Sequence, residues 1–485
     1  MSETNQYIDV LIMGAGLSGI GSAYHLQKHC SDKTYIVLEA RNAIGGTWDL
    51  FRYPGIRSDS DMFTFGYKFK PWKKSKTIAN GDEIKHYIEE AASENRIDQH
   101  IRFDHKIISA DWSDKTALWT VTAQSSKKTE LQVFNCKFFF SCGGYYNHDN
   151  GHVPKFEGVE QYQGKLIHPQ QWPQDLDYSH KKIVVIGSGA TAITLIPSLA
   201  KNAAMVTMLQ RSPSYIYKMP LEDKVAKLLY RWLPTHMAYS IVRTKNIAFN
   251  IFSFSLAKRR PDLVKRRLFK DLRKSLGPDF DIDTHFKPTY EPWDQRLCVA
   301  PDGDLLDTIR SGKARVVTDH IDHFTETGIT LKSGNTLDAD IVVTATGLEL
   351  VLFKGLQLTI NGKPIDISDS YSYKGMMLSG VPNFAFSVGY TNASWTLKSD
   401  LVGEYVCRVL NYMDRNNKHV CVPIKPDECG DEMPIIDFKS SYVLRALSQL
   451  PKQGSKKPWR LYQNYLLDRT ALGFGSVKDQ HIKFR

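Results

Sequence analysis

The sequence predicts an α/β protein with two Rossmann-like dinucleotide-binding domains and a helical insert. Two glycine-rich loops, each between an apolar strand and a helical segment, predict the two domains, and a long stretch without a strand pattern, residues 219–286, predicts the insert. The chain has 485 residues, of which 42% are hydrophobic and 24% charged. This composition is ordinary for a folded protein, and the length suggests about three folding units at roughly 150 residues each.

The first glycine-rich loop follows the apolar run Val10–Met13 and precedes a helical pattern that begins at Ile20. In a G-x-G-x-x-G loop the first glycine permits a tight turn, the second admits a pyrophosphate, and the third lets helix and strand pack closely. The next strand, Tyr35–Leu38, ends in Glu39, whose carboxylate suits ribose hydroxyls and repels a 2′-phosphate. This site is therefore expected to bind FAD or NAD. The residues of the loop expected to contact it are Gly14, Gly16, Ser18 and Gly19.

The same order of elements returns in the second half of the chain. Strand Ile183–Ile186 leads into the loop Gly187–Ala192, in which alanine replaces the third glycine. The next strand, Met205–Leu209, is followed by basic and hydroxyl side chains rather than an acid, which suits a 2′-phosphate. The expected NADPH contacts are Gly187, Ser188, Gly189, Ala190, Thr191, Ala192, Ile193, Arg211 and Ser212. Two sites of opposite preference indicate hydride transfer from NADPH to a flavin.

Two further apolar strands, in residues 138–144 and 340–347, are expected to carry the chain out of the first domain and back into it. The predicted domains are residues 1–150 and 335–485 for FAD, residues 151–218 and 287–334 for NADPH, and residues 219–286 for a helical insert of the NADPH domain. The insert carries a basic run, Lys258–Lys274. It suits a membrane-surface helix or a solvated cover over the active site. We favour the cover, because the run also contains Asp262, Asp271 and the helix-breaking Pro261.

Charge and cysteine content narrow the function classes. The net charge of +11 permits nucleic acid, anionic lipid or phosphorylated cofactors as partners, but no nucleic-acid motif is present. The seven cysteines are scattered without a C-x-x-C pair, so neither a metal site, a disulfide framework nor a disulfide reductase is expected. The start MSETNQYIDVLIMG lacks the features of a signal peptide. We therefore expect a cytoplasmic protein, with membrane contact at most peripheral.

Two longer motifs carry a resemblance to a known family. Gln161–Pro173 resembles F-x-G-x-x-x-H-x-x-x-W-[PD], with Tyr162 in place of phenylalanine and His168 at the histidine position. Gly45–Asp59 matches G-G-x-W-x-x-x-x-[FY]-P-G-x-x-x-D. These motifs are similar to those of FAD-containing Baeyer–Villiger monooxygenases. The segments Asp49–Asp61, Tyr373–Gly380 and Val388–Lys398 resemble the ethionamide-activating branch, and the resemblance spans essentially the whole chain.

This resemblance implies an enzyme that uses FAD, NADPH and O2 to convert small ketones into esters or lactones through a C4a-peroxyflavin. It also implies S-oxygenation of organosulfur substrates, namely sulfides, thioamides and thiocarbamides. An N- or S-oxygenating flavin monooxygenase without ketone activity is the alternative, and the Trp172-Pro173 ending of the longer motif counts against it.

The resemblance also implies roles for single residues. Arg296 would be catalytic, stabilising anionic oxygen, with Asp59 paired to it, and His168 would act in domain movement. Many relatives carry a lysine where this chain has Gln295, so Arg211 is expected to carry more of the preference for NADPH. The segment Thr391–Trp395 is expected to border the flavin, or to place its tryptophan in the core. Further expected cofactor contacts are Thr47, Trp48, Asp49, Leu50, Arg57, Ser58, Asp59 and Ile107.

Overall fold

The first of two large sheets carries the first glycine-rich loop. The computed structural model describes residues 6–126, 131–426 and 429–485; the first residues of the predicted N-terminal segment, 1–5, lie outside them. The strand Gln6–Met13 is parallel to both of its neighbours, and its residues Val10–Met13 are buried because both faces of the sheet are covered there. In spatial order the strands are Lys363–Pro364, Gln357–Ile360, His105–Ser113, Leu118–Ser125, Leu131–Ser141, Gln6–Met13, Tyr35–Leu38 and Ile101–Arg102, and Phe384–Phe386 also pairs with Leu131–Ser141.

The second large sheet is wholly parallel and carries the second glycine-rich loop. Its strands in spatial order are Ala314–Thr318, Met205–Gln210, Lys182–Ile186, Ile341–Thr344 and Lys165–Ile167. Helix Ala190–Leu199 follows the central strand as the sequence pattern requires, and its buried side chains pack on the sheet. The predicted fold class, two Rossmann-like units within an α/β chain, is confirmed.

The return of the chain to the first unit comes later than predicted. Strand Ile341–Thr344 pairs with Lys182–Ile186 in the second sheet, so the expected boundary at residue 335 is wrong by about one strand. The apolar residues of Ile341–Thr344 suit a buried parallel strand of either sheet, so the sequence could not show that this strand pairs within the second one. The chain passes between the two units in two segments, Tyr146–Gly151 and Leu348–Leu350, called here the crossing segments. They lie side by side, because they pair as antiparallel strands.

The predicted insert is helical. It contains Lys224–Trp232, Thr235–Arg259, Pro261–Leu276 and Ile282–His285. Helix Thr235–Arg259 ends just before Pro261 and helix Pro261–Leu276 begins at it, so the proline interrupts the helical run as expected. It is tolerated in the first turn of the new helix, because its missing N–H has no intrahelical partner there. Among the described residues, no helix combines the length and the apolar character needed to cross a membrane.

Smaller elements complete the two units. The remaining helices are Leu17–His29, Thr47–Leu50, Met62–Phe65, Gly81–Glu94, Asp304–Arg310, Trp395–Arg415, Ser441–Ala446 and Tyr465–Asp468. The remaining strands pair as Ile216–Met219 with Cys298–Pro301, Ser372–Tyr373 with Met377–Leu378, Cys421–Pro423 with Ile482–Phe484, and Glu432–Pro434 with Lys452–Gly454, while Ile321–Thr325, Gly328–Leu331 and Thr336–Asp338 form a three-stranded sheet.

A buried arginine fastens the insert to the first unit. Arg243, in the middle of helix Thr235–Arg259, donates hydrogen bonds from Nη1 to the backbone oxygens of Phe63 (2.7 Å) and Gly66 (2.6 Å). These oxygens lie at the C-terminal end of helix Met62–Phe65, where carbonyls lack helical partners and a cation is favoured. The pKa of Arg243 is raised although burial alone would lower it, because Tyr239 and Asp400 favour its charge.

We expect Arg243→Met to lower the free energy of unfolding by about 3 kcal/mol, because it leaves buried carbonyls without a donor. Urea denaturation followed by circular dichroism measures this. Lys245→Met is the matched control, since Lys245 lies on the same helix, is exposed to solvent and forms a single ion pair with Asp223, for which the expected loss is about 1 kcal/mol. Equal losses for the two variants would contradict the anchoring role.

Candidate active site

A cavity of about 660 Å³ lies between the two units. Both glycine-rich loops contribute to its wall, together with the Gly45–Asp59 motif and Arg296. The expected site residues that line it are Gly14, Gly16, Ser18, Glu39, Thr47, Trp48, Arg57, Ser58, Asp59, Ile107, Ala190, Thr191 and Arg296. The sequence motifs, which are far apart along the chain, therefore meet at one place.

The first loop forms a cradle of bare backbone. Gly14 has φ +96°, and a Cβ there would come within 2.9 Å of the Cys142 backbone oxygen. A Cβ on Gly19 would meet the Gly14 oxygen at 1.8 Å, so this glycine holds helix Leu17–His29 against the loop as predicted. Gly16, at the N-terminus of this helix, faces Gly46 across a gap that side chains would fill. Such a cradle at a helix N-terminus fits a dinucleotide pyrophosphate.

Glu39 is held at the end of its strand as the sequence predicts. Its carboxylate is buried, accepts a hydrogen bond from the Ala15 backbone N–H at 2.7 Å, and accepts a second from that of Arg41 at 2.9 Å. The carboxylate is thus fixed beside the first loop and lines the cavity, in the position from which it can bind a ribose.

Asp49 and Leu50 do not line the cavity, unlike the direct cofactor contacts expected from the sequence. The short helix Thr47–Leu50 turns Asp49 inward, where its buried carboxylate pairs with Arg41 (2.5 Å) and Lys85 (2.8 Å). Burial alone would raise the pKa of Asp49, but the hydrogen bonds from these two cations lower it. Asp49 thereby holds Arg41, which does line the cavity.

The second loop also has the expected form. Gly187 has φ +139°, and a Cβ there would come within 2.4 Å of the Ala345 oxygen. The Ser188 hydroxyl donates to the Ser212 backbone oxygen at 2.9 Å, which ties this loop to the end of the next strand. Arg211 follows that strand and is exposed, so it is free to meet a phosphate. Residues of this site that lie outside the cavity are Gly187, Ser188, Gly189, Ala192, Ile193, Arg211 and Ser212.

Arg296 and Asp59 form the predicted pair. The Arg296 guanidinium donates from Nη2 to Oδ1 of Asp59 at 2.8 Å, and its Nε lies 2.7 Å from Oδ2, so the pair is bidentate. Burial alone would lower the pKa of Arg296, but the charge of Asp59 outweighs it and raises the pKa. About a third of each side chain stays exposed to the cavity. A permanent, oriented cation therefore faces the space between the loops.

The loop that carries Arg296 is held from several directions. Asp294 pairs with Lys258 of the insert at 2.9 Å and with Lys439 of the C-terminal part of the chain at 3.0 Å. Trp293, which has φ +69°, packs against Phe254 of the insert with ring centroids 5.6 Å apart. The position of the guanidinium is thus set by the insert, by the C-terminal part and by Asp59 together.

Other contacts join the two units beside this pair. Arg57 donates to Asp304 of the second unit at 2.5 Å. The buried phenol of Tyr53 hydrogen bonds with Thr191 of the second loop, and burial raises its pKa to about 12, so it stays neutral. The Gly45–Asp59 motif therefore carries a set of contacts to the second unit as well as lining the cavity.

His168 lies outside the cavity, beside a crossing segment. Its Nε2 is 3.2 Å from the Gly347 backbone oxygen, and its Nδ1 accepts from the Gln170 N–H at 3.2 Å. These partners assign the neutral tautomer with the proton on Nε2, and burial lowers the pKa of His168. Its contact with Gly347 places it at the junction between the units and outside the cavity.

Sequence reasoning missed two tyrosines of the cavity wall. Tyr145 and Tyr146 follow the FFFSCGG segment, and burial raises the pKa of both phenols despite the nearby charge of Arg296. Tyr145 packs against Trp395 with ring centroids 4.9 Å apart, and the Trp395 indole donates to the Ser18 hydroxyl at 2.7 Å. The sequence left two positions open for Trp395, beside the flavin or in the core, and the structure places it in the cavity wall. Thr391 does not line the cavity. The only feature of the sequence that could have identified Tyr145 and Tyr146 is their position, shortly after a strand that ends beside the first loop.

Comparison with known proteins gives concordant results. A family model described as flavin-binding monooxygenase-like matches residues 8–357. The chain is 53% identical over 480 residues to the FAD-containing monooxygenase EthA of Mycolicibacterium smegmatis, which covers 99% of this chain and 97% of that protein. It is 52% identical over 480 residues to EthA of Mycobacterium tuberculosis, with 99% and 98% covered.

Solved structures share the fold at low identity. An oxidized steroid monooxygenase bound to NADP has a TM-score of 0.78 at 20% identity, with 99% of both chains covered. An open structure of cyclohexanone monooxygenase has a TM-score of 0.76 at 18% identity, with 99% of this chain and 100% of that chain covered. At these identities the likeness concerns the arrangement of the two units.

The two glycine loops allow a matched pair of substitutions. Gly19→Ala places a Cβ 1.8 Å from a backbone oxygen, so we expect the first loop to shift and the purified protein to lose its yellow colour. Gly189→Ala meets nothing within 4 Å, so we expect a yellow protein whose KM for NADPH rises by about tenfold, because the methyl group takes space needed by the pyrophosphate. Flavin absorbance and NADPH titration measure the two effects. A colourless Gly189→Ala protein would contradict the division of the sites.

Proposed function

This chain belongs to the flavin-binding monooxygenase-like family, and from that premise we propose that it converts ketones into esters or lactones and oxygenates sulfur in sulfides and thioamides. The family assignment confirms the predicted flavin-dependent monooxygenase, which uses FAD and NADPH. In the proposed reaction one atom of O2 enters the bond beside the carbonyl carbon. The other atom leaves as water, and NADPH supplies the two electrons.

The cofactor sites follow from the loop geometry. FAD would be held by the bare backbone of Gly14–Gly19 and by Glu39, and NADPH by Gly187–Ile193 with Arg211 against its 2′-phosphate. When bound and reduced, FAD supplies the activation of dioxygen. Gln295 offers no cation beside Arg296, so the preference for NADPH over NADH rests on Arg211.

The observation that carries the proposal is the bidentate pair of Arg296 and Asp59 in the wall of the cavity between both loops. Ketone oxidation develops negative charge on oxygen, and a guanidinium that cannot lose its proton stabilises this charge without rearranging. Asp59 fixes the orientation of the guanidinium and moderates its charge. Sulfur oxygenation needs less stabilisation of this kind, so one site can serve both reactions.

Aromatic side chains around the pair keep water from the reacting atoms. Trp48, Tyr145, Tyr146 and Trp395 all line the cavity. The phenols of Tyr145 and Tyr146 stay neutral, because burial raises their pKa values. A water-poor wall strengthens the effect of the Arg296 charge and limits loss of the activated oxygen as hydrogen peroxide.

The direct test is anaerobic reduction of the yellow protein by NADPH, followed by aerobic turnover of a linear methyl ketone and of methyl phenyl sulfide. We expect flavin bleaching, then ester from the ketone and sulfoxide from the sulfide, both read by gas chromatography. Sulfoxide without ester would assign the chain to the S- or N-oxygenating alternative. Hydrogen peroxide alone from both substrates would refute oxygen transfer to either class.

Substitution of Arg296 separates its catalytic role from a structural one. We expect Arg296→Ala to stay folded and yellow but to lose ester formation by about a hundred- to a thousandfold, because the negative charge on oxygen is no longer stabilised. Arg296→Lys keeps the charge and loses the bidentate geometry, so it should recover part of the rate. Flavin content, the melting temperature and product rates are measured together. Loss of flavin and of stability in both variants would instead indicate a structural ion pair.

A further inference from the structure

The outer face of the first two insert helices exposes large apolar side chains. Of the 17 large hydrophobic residues exposed in the described part of the chain, seven fall between residues 225 and 252. Trp232 is 71% exposed, Phe252 64% and Phe249 56%. Single exposed hydrophobic residues need no explanation, but a cluster of this size on adjacent helices marks an interaction surface.

The seven exposed side chains lie on two helices that contact each other and are named here the apolar face. Its members are Val225, Leu228 and Trp232 on helix Lys224–Trp232, and Met237, Ile241, Phe249 and Phe252 on helix Thr235–Arg259. On each helix their spacing of three, four or eight residues puts them on one side. The opposite side of the second helix is buried against the first unit through Val242 and Arg243. The two helices contact each other, so the face is shared.

Basic residues surround the apolar face. Residues 219–286 contain 14 Lys and Arg against seven Asp and Glu, in a chain whose net charge is +11. Lys224, Lys227 and Arg231 are exposed on the first helix, and Arg259 lies seven residues after Phe252 and thus on the same side of the second. Within the described residues Arg259 and Arg260 form no ion pair, so their charges are available to a partner.

We propose that the apolar face docks the enzyme on the surface of an anionic lipid bilayer. Tryptophan and phenylalanine on one side of a helix with lysine and arginine beside them suit the interface plane, where the rings enter the boundary of the acyl chains and the cations meet the phosphates. If a second copy of this chain covered the apolar face, the basic residues around the two faces would come together, and their charge repulsion disfavours this. The sequence alone favoured a solvated basic cover, because the pattern did not reveal that the preceding apolar residues face outward.

The docking face lies one helix away from the cavity. The inner residues Ile247 and Ile251 of the second helix pack in one cluster with Tyr390 and Ala393, and the latter two line the cavity. The same helix holds the Arg296 loop through Lys258 and Phe254. A docked bilayer would therefore place dissolved apolar compounds close to the cavity wall. The docking itself does not depend on which substrate the enzyme takes.

Flotation of the FAD-loaded enzyme with lipid vesicles tests this proposal. We expect the enzyme to float with vesicles that contain phosphatidylglycerol at low salt, and to bind phosphatidylcholine vesicles more weakly. The combined substitution of Trp232→Ser, Phe249→Ser and Phe252→Ser should lower the partition coefficient by about tenfold or more, because it removes the buried apolar area. Arg259→Gln with Arg260→Gln should lower binding to anionic vesicles and weaken its salt dependence.

Phe474→Ser is the matched control, because Phe474 is 76% exposed but belongs to segment Arg469–Phe474, which packs on helix Trp395–Arg415. We expect it to bind vesicles like the unchanged enzyme, and both it and the triple variant to keep full turnover of a water-soluble sulfide. The proposal is overturned if the unchanged enzyme does not float, or if the triple variant floats equally well. It is also overturned if light scattering shows an oligomer that the triple variant splits into monomers, since the face would then be covered by a second copy.

Discussion

The contact on which this molecule depends is the ion pair of Arg296 and Asp59, because its two halves come from different nucleotide-binding units. A single partly exposed ion pair contributes on the order of 1 kcal/mol to stability, which is too little to hold the two units together by itself. The pair matters because it positions the Arg296 guanidinium at the cavity. The guanidinium faces the cavity only when the units are docked, and docking rests on other contacts, such as Arg57 with Asp304 and the packing around the crossing strands. Catalytic geometry is thus a consequence of the domain arrangement.

The helical insert follows from the same constraint. The Arg296 loop has too few residues to fix a side chain by itself, and one of them, Trp293, has a positive φ that costs free energy. Lys258 and Phe254 of the insert contact Asp294 and Trp293 of this loop, and Arg243 fastens the same helix to the first unit. The insert is therefore a brace between the first unit and the catalytic loop, and its outer face remains available for another purpose.

Much of the site could be predicted from the sequence because local rules govern it. The glycines of both loops are required by backbone clashes within a few residues, and Glu39 stands at a fixed distance from its loop. Tyr145 and Tyr146 could not be predicted, because a tyrosine pattern does not show which cavity it lines. For Asp49, which was expected to contact a cofactor, the sequence could not show that one turn of helix directs its carboxylate to Arg41. Strand Ile341–Thr344 was assigned to the wrong unit, because an apolar run does not show which strand it will pair with.

The same limit explains why the outer face of the insert emerged only from the structure. Helical periodicity shows that Ile241, Phe249 and Phe252 share one side, but not whether that side meets the core or solvent. The buried Arg243 decides this, because its hydrogen bonds to the backbone oxygens of Phe63 and Gly66 fix the rotation of the helix. With a charged residue turned inward and satisfied, the aromatic residues are turned outward. A buried polar anchor can therefore determine where an apolar surface is exposed, and a folded domain of ordinary composition can carry a surface suited to lipid.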